Sequence, residues 1–280
     1  MYLKEFSTTV LRAVFAVFLT ALVFVSGCGN SPTAVDDPEV PAETKTENRG
    51  EEIMAEYLKR NSSPYRKSRV RLTVENDDGK KEVYVLETAR KQIDDETRTL
   101  THIVEPAEDE NIATLTIENK GKETVNVNYI SSRDQFRESG TNKMFFGGLT
   151  SQELLGEWDK YKTKLIEEKE VGGQKVFELE STLKPKASSV ISRIVSVFSA
   201  DDYLPRELHL YNSDGKEIRT FQITETREIA ARKFVAKTLI TNHIYNSKIT
   251  IEVLEMTFPE GLPNEIFERD HLKVLAAKSS

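Results

Sequence analysis

Cys28 is the residue whose chemistry its neighbours select most clearly. It is the only cysteine in the 280-residue chain and directly follows Val25-Ser26-Gly27, small residues of the kind that precede a thiol accepting diacylglycerol. Upstream, Ala13 to Val25 is an apolar run broken only by Thr20, with Lys4 and Arg12 on its N-terminal side. That is the layout of an export signal. Its thirteen residues fall short of the roughly 20 that a membrane-spanning helix needs. A lone cysteine cannot form an internal disulfide, so lipidation gives it a role. Residues 1–27 are therefore expected to be cleaved, leaving a lipidated Cys28 and a tethered protein, since two or three acyl chains anchor stably where one does not.

Other chemistry is sparse. His102, His209, His243 and His271 are far apart in sequence and lack metal-ligand spacing. Asp94-Asp95-Glu96 and Asp201-Asp202 lack the alternation of a calcium loop. Gly147-Gly148 and Gly172-Gly173 have no phosphate-loop context, and there is no Gly-x-Ser-x-Gly elbow. No catalytic residue, metal or cofactor is expected. One basic run stands out: Lys59, Arg60, Arg66, Lys67, Arg69 and Arg71 lie within thirteen residues that contain no acid. Such a run is either an ordinary solvated strand and loop or, through Arg66, Lys67, Arg69 and Arg71, a contact for anionic headgroups. Near such a surface each cation contributes about 1 kcal/mol. Phe145, Phe146, Leu149, Leu154, Leu155 and Trp158 form an apolar set that reads either as packed core or as a lid over an acyl-chain site.

The elements that would position these residues follow from periodicity. Residues 28–50, with Pro32, Pro38 and Pro41 and almost no large apolar residue, read as a flexible tether. A folded domain is expected over 51–273 and a tail over 274–280. Ile53, Met54, Tyr57 and Leu58 mark a short amphipathic helix. After it the period changes to two, giving eleven or twelve strands separated by turns such as Asp78-Gly79 and Asp214-Gly215. Ser151 to Tyr161 reads as a helix capped by Thr150 or Ser151. Near the C-terminus Ile249, Ile251 and Val253 alternate, then Leu254, Met256 and Phe258 continue one residue out of phase, which predicts a β-bulge. The fold class is mainly β, a single curved antiparallel sheet with helices on its concave side. A net charge of −7 with interspersed signs argues against nucleic acid as a partner.

Between Ile103 and Leu272 a series of short landmarks follows in order. Pro106 precedes Ala113-Thr114-Leu115, and Phe145-Phe146-Gly147-Gly148-Leu149 leads into Ser151-Gln152-Glu153-Leu154. Then come Tyr203-Leu204-Pro205, Leu210-Tyr211 ahead of Asp214-Gly215-Lys216, and Leu262-Pro263 before Phe267. In these the chain resembles the LolA-like outer-membrane lipoprotein-sorting proteins, particularly their lipid-anchored branch. The resemblance implies an unclosed β-barrel, capped by helices, whose apolar concavity holds acyl chains of lipids or lipoproteins.

Together these readings lead to an envelope lipoprotein of the outer membrane, facing the periplasm, that binds lipid or lipoprotein acyl chains without catalysis. The alternatives are a signalling or assembly module with a protein or peptide partner in the envelope, and an enzyme whose site is not visible in the sequence.

Overall fold

The computed structural model describes residues 42–106, 112–119, 121–140, 146–150, 153 and 158–277. Cys28, the export signal, Phe145, Leu154 and Leu155 lie outside the described residues. The chain divides into Met1–Glu39 and a second unit, Val40–Ser280, to which everything below refers. No helix among the described residues is long and apolar enough to cross a membrane.

Thirteen strands form one antiparallel sheet. They are β1 (Tyr65–Glu75), β2 (Lys81–Ile93), β3 (Glu96–Glu105), β4 (Ala113–Asn119), β5 (Val125–Ile130) and β6 (Gln135–Ser139) in the first half. The second half holds β7 (Tyr161–Val171), β8 (Gln174–Leu183), β9 (Arg193–Ser199), β10 (Pro205–Tyr211), β11 (Glu217–Ile229), β12 (Arg232–Asn242) and β13 (Ser247–Thr257). The order β6-β5-β4-β3-β2-β1-β13-β12-β11-β10-β9-β8-β7 leaves β6 and β7 as unpaired edges. The sheet is thus not closed, and the chain between Ser139 and Tyr161 has to cross from one edge to the other.

Its curl follows from which residues meet. Glu118 and Asn119 of β4 line the same cavity as Asp159 and Lys160, which lead into β7, although β4 and β7 are ten strand spacings apart in the order. In a flat sheet that separation would be about 48 Å. The face that lines this cavity is therefore the inner, concave one. Where the bulge was expected, Arg69 pairs with Glu255 and Val70 with Val253, so Leu254 is the extra residue. The bulge keeps Met256 in register with Ser68 on the inner face and adds local twist.

Helix α1 (Ala42–Asn61) packs on the inner face over β7 to β9, burying Ile53 and Met54 against Phe177, Leu179 and Phe198. It begins well inside the segment expected to be a tether. Residues 42–52 hold no large apolar side chain, so periodicity could not find them; polar tertiary contacts hold them instead. Lys162 pairs with Glu47 at 2.8 Å, and the Thr163 amide donates to Glu51 at 2.7 Å. Gly50 permits this approach, because a Cβ there would stand 2.6 Å from the Lys164 backbone.

Helix α2 (Arg269–Ala277) covers the outer face of the other half. With Phe267, its Leu272 and Leu275 pack on Ala89, Leu100, Ala113, Leu115 and Val127. Residues 274–277 thus belong to the fold and not to a tail, with Leu275 and Ala276 buried.

Candidate functional site

The segment that crosses the sheet was expected to place its apolar set over an acyl-chain site. The described members separate. Leu149 is 0 % exposed among Leu72, Val74, Ile240 and Ile249 of the central strands, and Phe146 joins that cluster, its ring 4.4 Å from that of Tyr84. Trp158 lies apart, beside α1, edge-on to Tyr57 with ring centroids 6.4 Å apart. Thr150 caps the expected helix: Glu153 Oε2 accepts from the Thr150 amide at 2.6 Å and from its hydroxyl at 2.9 Å, and the Glu153 amide donates back to that hydroxyl. The helix does not reach Tyr161, however. Trp158–Lys160 is a 3-10 turn and Tyr161 opens β7, where its hydroxyl donates to the Ile191 carbonyl.

Sequence reasoning missed the polar clamp that fixes this segment. Arg219 of β11 lies beneath it, 4 % exposed, with Nε 3.2 Å from Glu153 Oε1; the Glu153 side chain is 1 % exposed. The contact is an ion pair without hydrogen-bond alignment, since both atoms lack a hydrogen-bond partner. Arg219 also donates to the Gly148 carbonyl at 2.8 Å and to Asn242 at 2.7 Å, while Asn242 donates to the Gly147 carbonyl at 2.9 Å. Burial lowers the Arg219 pKa and Glu153 opposes that shift. Gly147 adopts φ +61°, and a Cβ there would meet Ile249 Cδ1 at 2.7 Å. These residues are far apart in sequence and carry no motif.

The inner face has two characters. Over β7 to β13 it is packed and largely apolar, with Thr163, Ser181, Arg219 and Asn242 as buried polar members. Over the part of β1 to β6 nearest α1 the expectation of an apolar concavity fails: the row across the strands reads Arg66, Arg90, Thr99, Thr116, Asn126, Ser139, and the next reads Ser68, Thr88, Thr101, Thr114, Asn128, Arg137. Alternation in β3 to β5 does give each strand one apolar face, but that face is the outer one, under α2. Period two distinguishes the faces without saying which is concave.

Between this polar surface and α1 lies a cavity of about 550 Å³. Tyr57, Leu58 and Trp158 form an apolar wall, and Arg66, Arg90 and Thr97 are among the polar residues facing it. The volume is that of a small-molecule pocket, which is typically about 300–1,000 Å³. Arg66 and Arg90 are directly opposed across β1 and β2. Arg90 donates to the Ser63 carbonyl at 3.2 Å and to Gln92 at 3.3 Å, both uncharged. Arg66 Nε is sealed from solvent without a hydrogen-bond partner. Burial lowers the Arg66 pKa and the charge of Arg90 lowers it further, with Tyr57 and Glu118 opposing.

The rest of the basic run points elsewhere. Lys67, Arg69 and Arg71 alternate onto the outer face, where Arg69 pairs with Glu105 at 3.0 Å and Arg71 with Glu252 at 3.3 Å. The histidines, separate in sequence, come together in pairs. His209 Nδ1 lies 2.8 Å from Glu217 Oε1, His243 Nε2 lies 3.5 Å from the same oxygen, and the Thr220 hydroxyl contacts both Glu217 and His243. Pairing of β10 and β12 on either side of β11 causes this. His102 and His271 line one outer cavity of about 370 Å³ beneath α2. Among the described residues no group of three His, Cys, Asp or Glu side chains is arranged to hold a metal ion.

A family model described as "Uncharacterized protein" matches residues 95–274, more than half of the chain. The chain belongs to that family, and its fold is LolA-like. The LolA-like fold rests on solved structures. A putative outer membrane lipoprotein-sorting protein domain from Vibrio parahaemolyticus superposes with a TM-score of 0.74 at 18 % identity, covering 81 % of this chain and 99 % of that one. A DUF1329 family protein from Desulfovibrio piger gives 0.75 at 18 % identity, with 81 % and 99 % covered. A LolA superfamily protein from Nitrosomonas europaea gives 0.66 at 14 % identity, with 79 % and 98 % covered. Comparison with curated protein sequences finds no match. At these identities the LolA-like relatives speak for architecture, and the cavity's own residues must carry the functional argument.

Proposed function

We propose that this LolA-like protein is a lipid- or lipoprotein-binding component of the bacterial envelope, tethered through Cys28 to the outer membrane and facing the periplasm. The observation that carries the reading is the cavity between α1 and the inner face of the sheet, walled on one side by Tyr57, Leu58 and Trp158. Its use as an acyl-chain site needs no catalytic group: apolar burial is non-directional at about 25 cal/mol per Å², so such a wall selects bulk and length. The lipoprotein-sorting name of the Vibrio parahaemolyticus relative agrees with this assignment.

Within the apolar set first read from the sequence, Trp158 is the described residue that borders the cavity, whereas Phe146 and Leu149 hold the crossing segment in place. Trp158 is the only tryptophan in the chain, so its emission reports occupancy directly. Titrating a monoacylglycerol into the full chain should shift and saturate that emission. An unresponsive Trp158, with binding absent by calorimetry, would refute acyl-chain binding here.

A further inference from the structure

We propose that Arg66 and Arg90 form a binding site for a phosphoryl group, carried by an anionic amphiphile whose apolar part lies against Tyr57, Leu58 and Trp158. This rests on the cavity reading above and names the ligand class.

Arg66 and Arg90 are direct cross-strand neighbours, an arrangement that destabilises a sheet when the charges are alike. Among the described residues neither lies within ion-pair distance of a carboxylate, Glu118 attracts both only at longer range, and the hydrogen bonds of Arg90 go to neutral groups. Arginine stays charged in proteins, so burial cannot discharge them. Asp95, Glu118 and Asp159 also face the cavity, as do Lys122 and Lys160, so the four cations outnumber the three acids. A buried polar group left unsatisfied, as Arg66 Nε is, costs about 1–3 kcal/mol, and an anion held by the same guanidinium would offset that cost.

A phosphoryl group fits that demand. Its charge of about −1.5 to −2 matches two guanidiniums, and its oxygens accept the parallel N–H pairs that an arginine fork presents. The apolar wall on the opposite side would take the hydrocarbon of the same molecule.

The test uses the full chain in a neutral maltoside detergent, with calorimetry and Trp158 emission as readouts. The probes are lysophosphatidic acid, a monoacylglycerol of the same chain length, and inorganic phosphate. The native chain should bind lysophosphatidic acid more tightly than the monoacylglycerol, and Arg66→Gln or Arg90→Gln should each weaken lysophosphatidic acid about tenfold or more while weakening the monoacylglycerol far less. Arg66→Lys, which keeps the charge, should recover part of the loss. Phosphate binding without either amphiphile would uphold the phosphoryl site and sink the acyl reading. Equal binding of both amphiphiles, unaltered in the glutamine variants, would overturn the phosphoryl site and leave the acyl reading standing.

Discussion

Glu153 and Arg219 are an ion pair buried almost completely, 1 % and 4 % exposed, between the segment that crosses the sheet and strand β11. The capping contacts to Thr150 and the donation from Arg219 to the Gly148 carbonyl tie both ends of this pair to the crossing segment. Removing one partner strands the other charge in the interior, which costs about 3–5 kcal/mol. Glu153→Gln should lower the urea midpoint accordingly, and Arg219→Met with Glu153→Leu should recover much of the loss. A Glu153→Gln midpoint equal to the native one would show that the clamp contributes little.

The cross-strand arginines predict the opposite sign. In ligand-free protein, Arg66→Gln removes the repulsion with Arg90, for which directly opposed like charges cost roughly 0.2–1 kcal/mol. Thermal denaturation should show a small rise in Tm. A fall would mean that the guanidinium is satisfied in the free protein and that no anion is needed to complete it.

Glu217 gives the pH prediction. Burial raises its pKa, but the hydrogen bonds from Thr220 and His209 and the charges of His209 and His243 reverse this, leaving it below the ordinary carboxylate value. Because the folded-state pKa is the lower one, the contribution is full above the unfolded carboxylate pKa and is lost as pH falls through the folded value. Stability measured against pH should fall on the acid side less steeply in Glu217→Gln than in the native chain. Superimposable acid limbs would contradict the shift.

Lipid attachment at Cys28 is open to a direct check. Radiolabelled fatty acid should enter the native chain and not Cys28→Ser, which should leave the membrane fraction or remain uncleaved. Undiminished labelling of the variant would place the lipid elsewhere.

The sequence made some of these features legible for physical reasons that can be named. The phase change at Leu254 gave the bulge, because a buried face constrains register. Thr150 was recognisable as a cap, because it precedes an apolar helical pattern. Strand β6 was not visible: Gln135–Ser139 carries one apolar residue, Phe136, as befits an exposed edge. The threonine and asparagine alternation of β3 to β5 was present in the sequence, yet only the cavity shared by β4 and the residues leading into β7 shows that the polar side is the concave one, and α2 covers the other. Arg66 stood in the basic run, but its separation from Lys67, Arg69 and Arg71, and its meeting with Arg90, depend on strand pairing.

The most direct measurement of the central claim is mass spectrometry of the organic extract from full-length protein purified from its own envelope, compared with Trp158→Asp shown by circular dichroism to keep its sheet. The account predicts a stoichiometric acyl-bearing molecule in the native extract, in excess of the Cys28 anchor, and its loss from the variant. An extract that contains the anchor alone, or an equal lipid load in the folded variant, would contradict it.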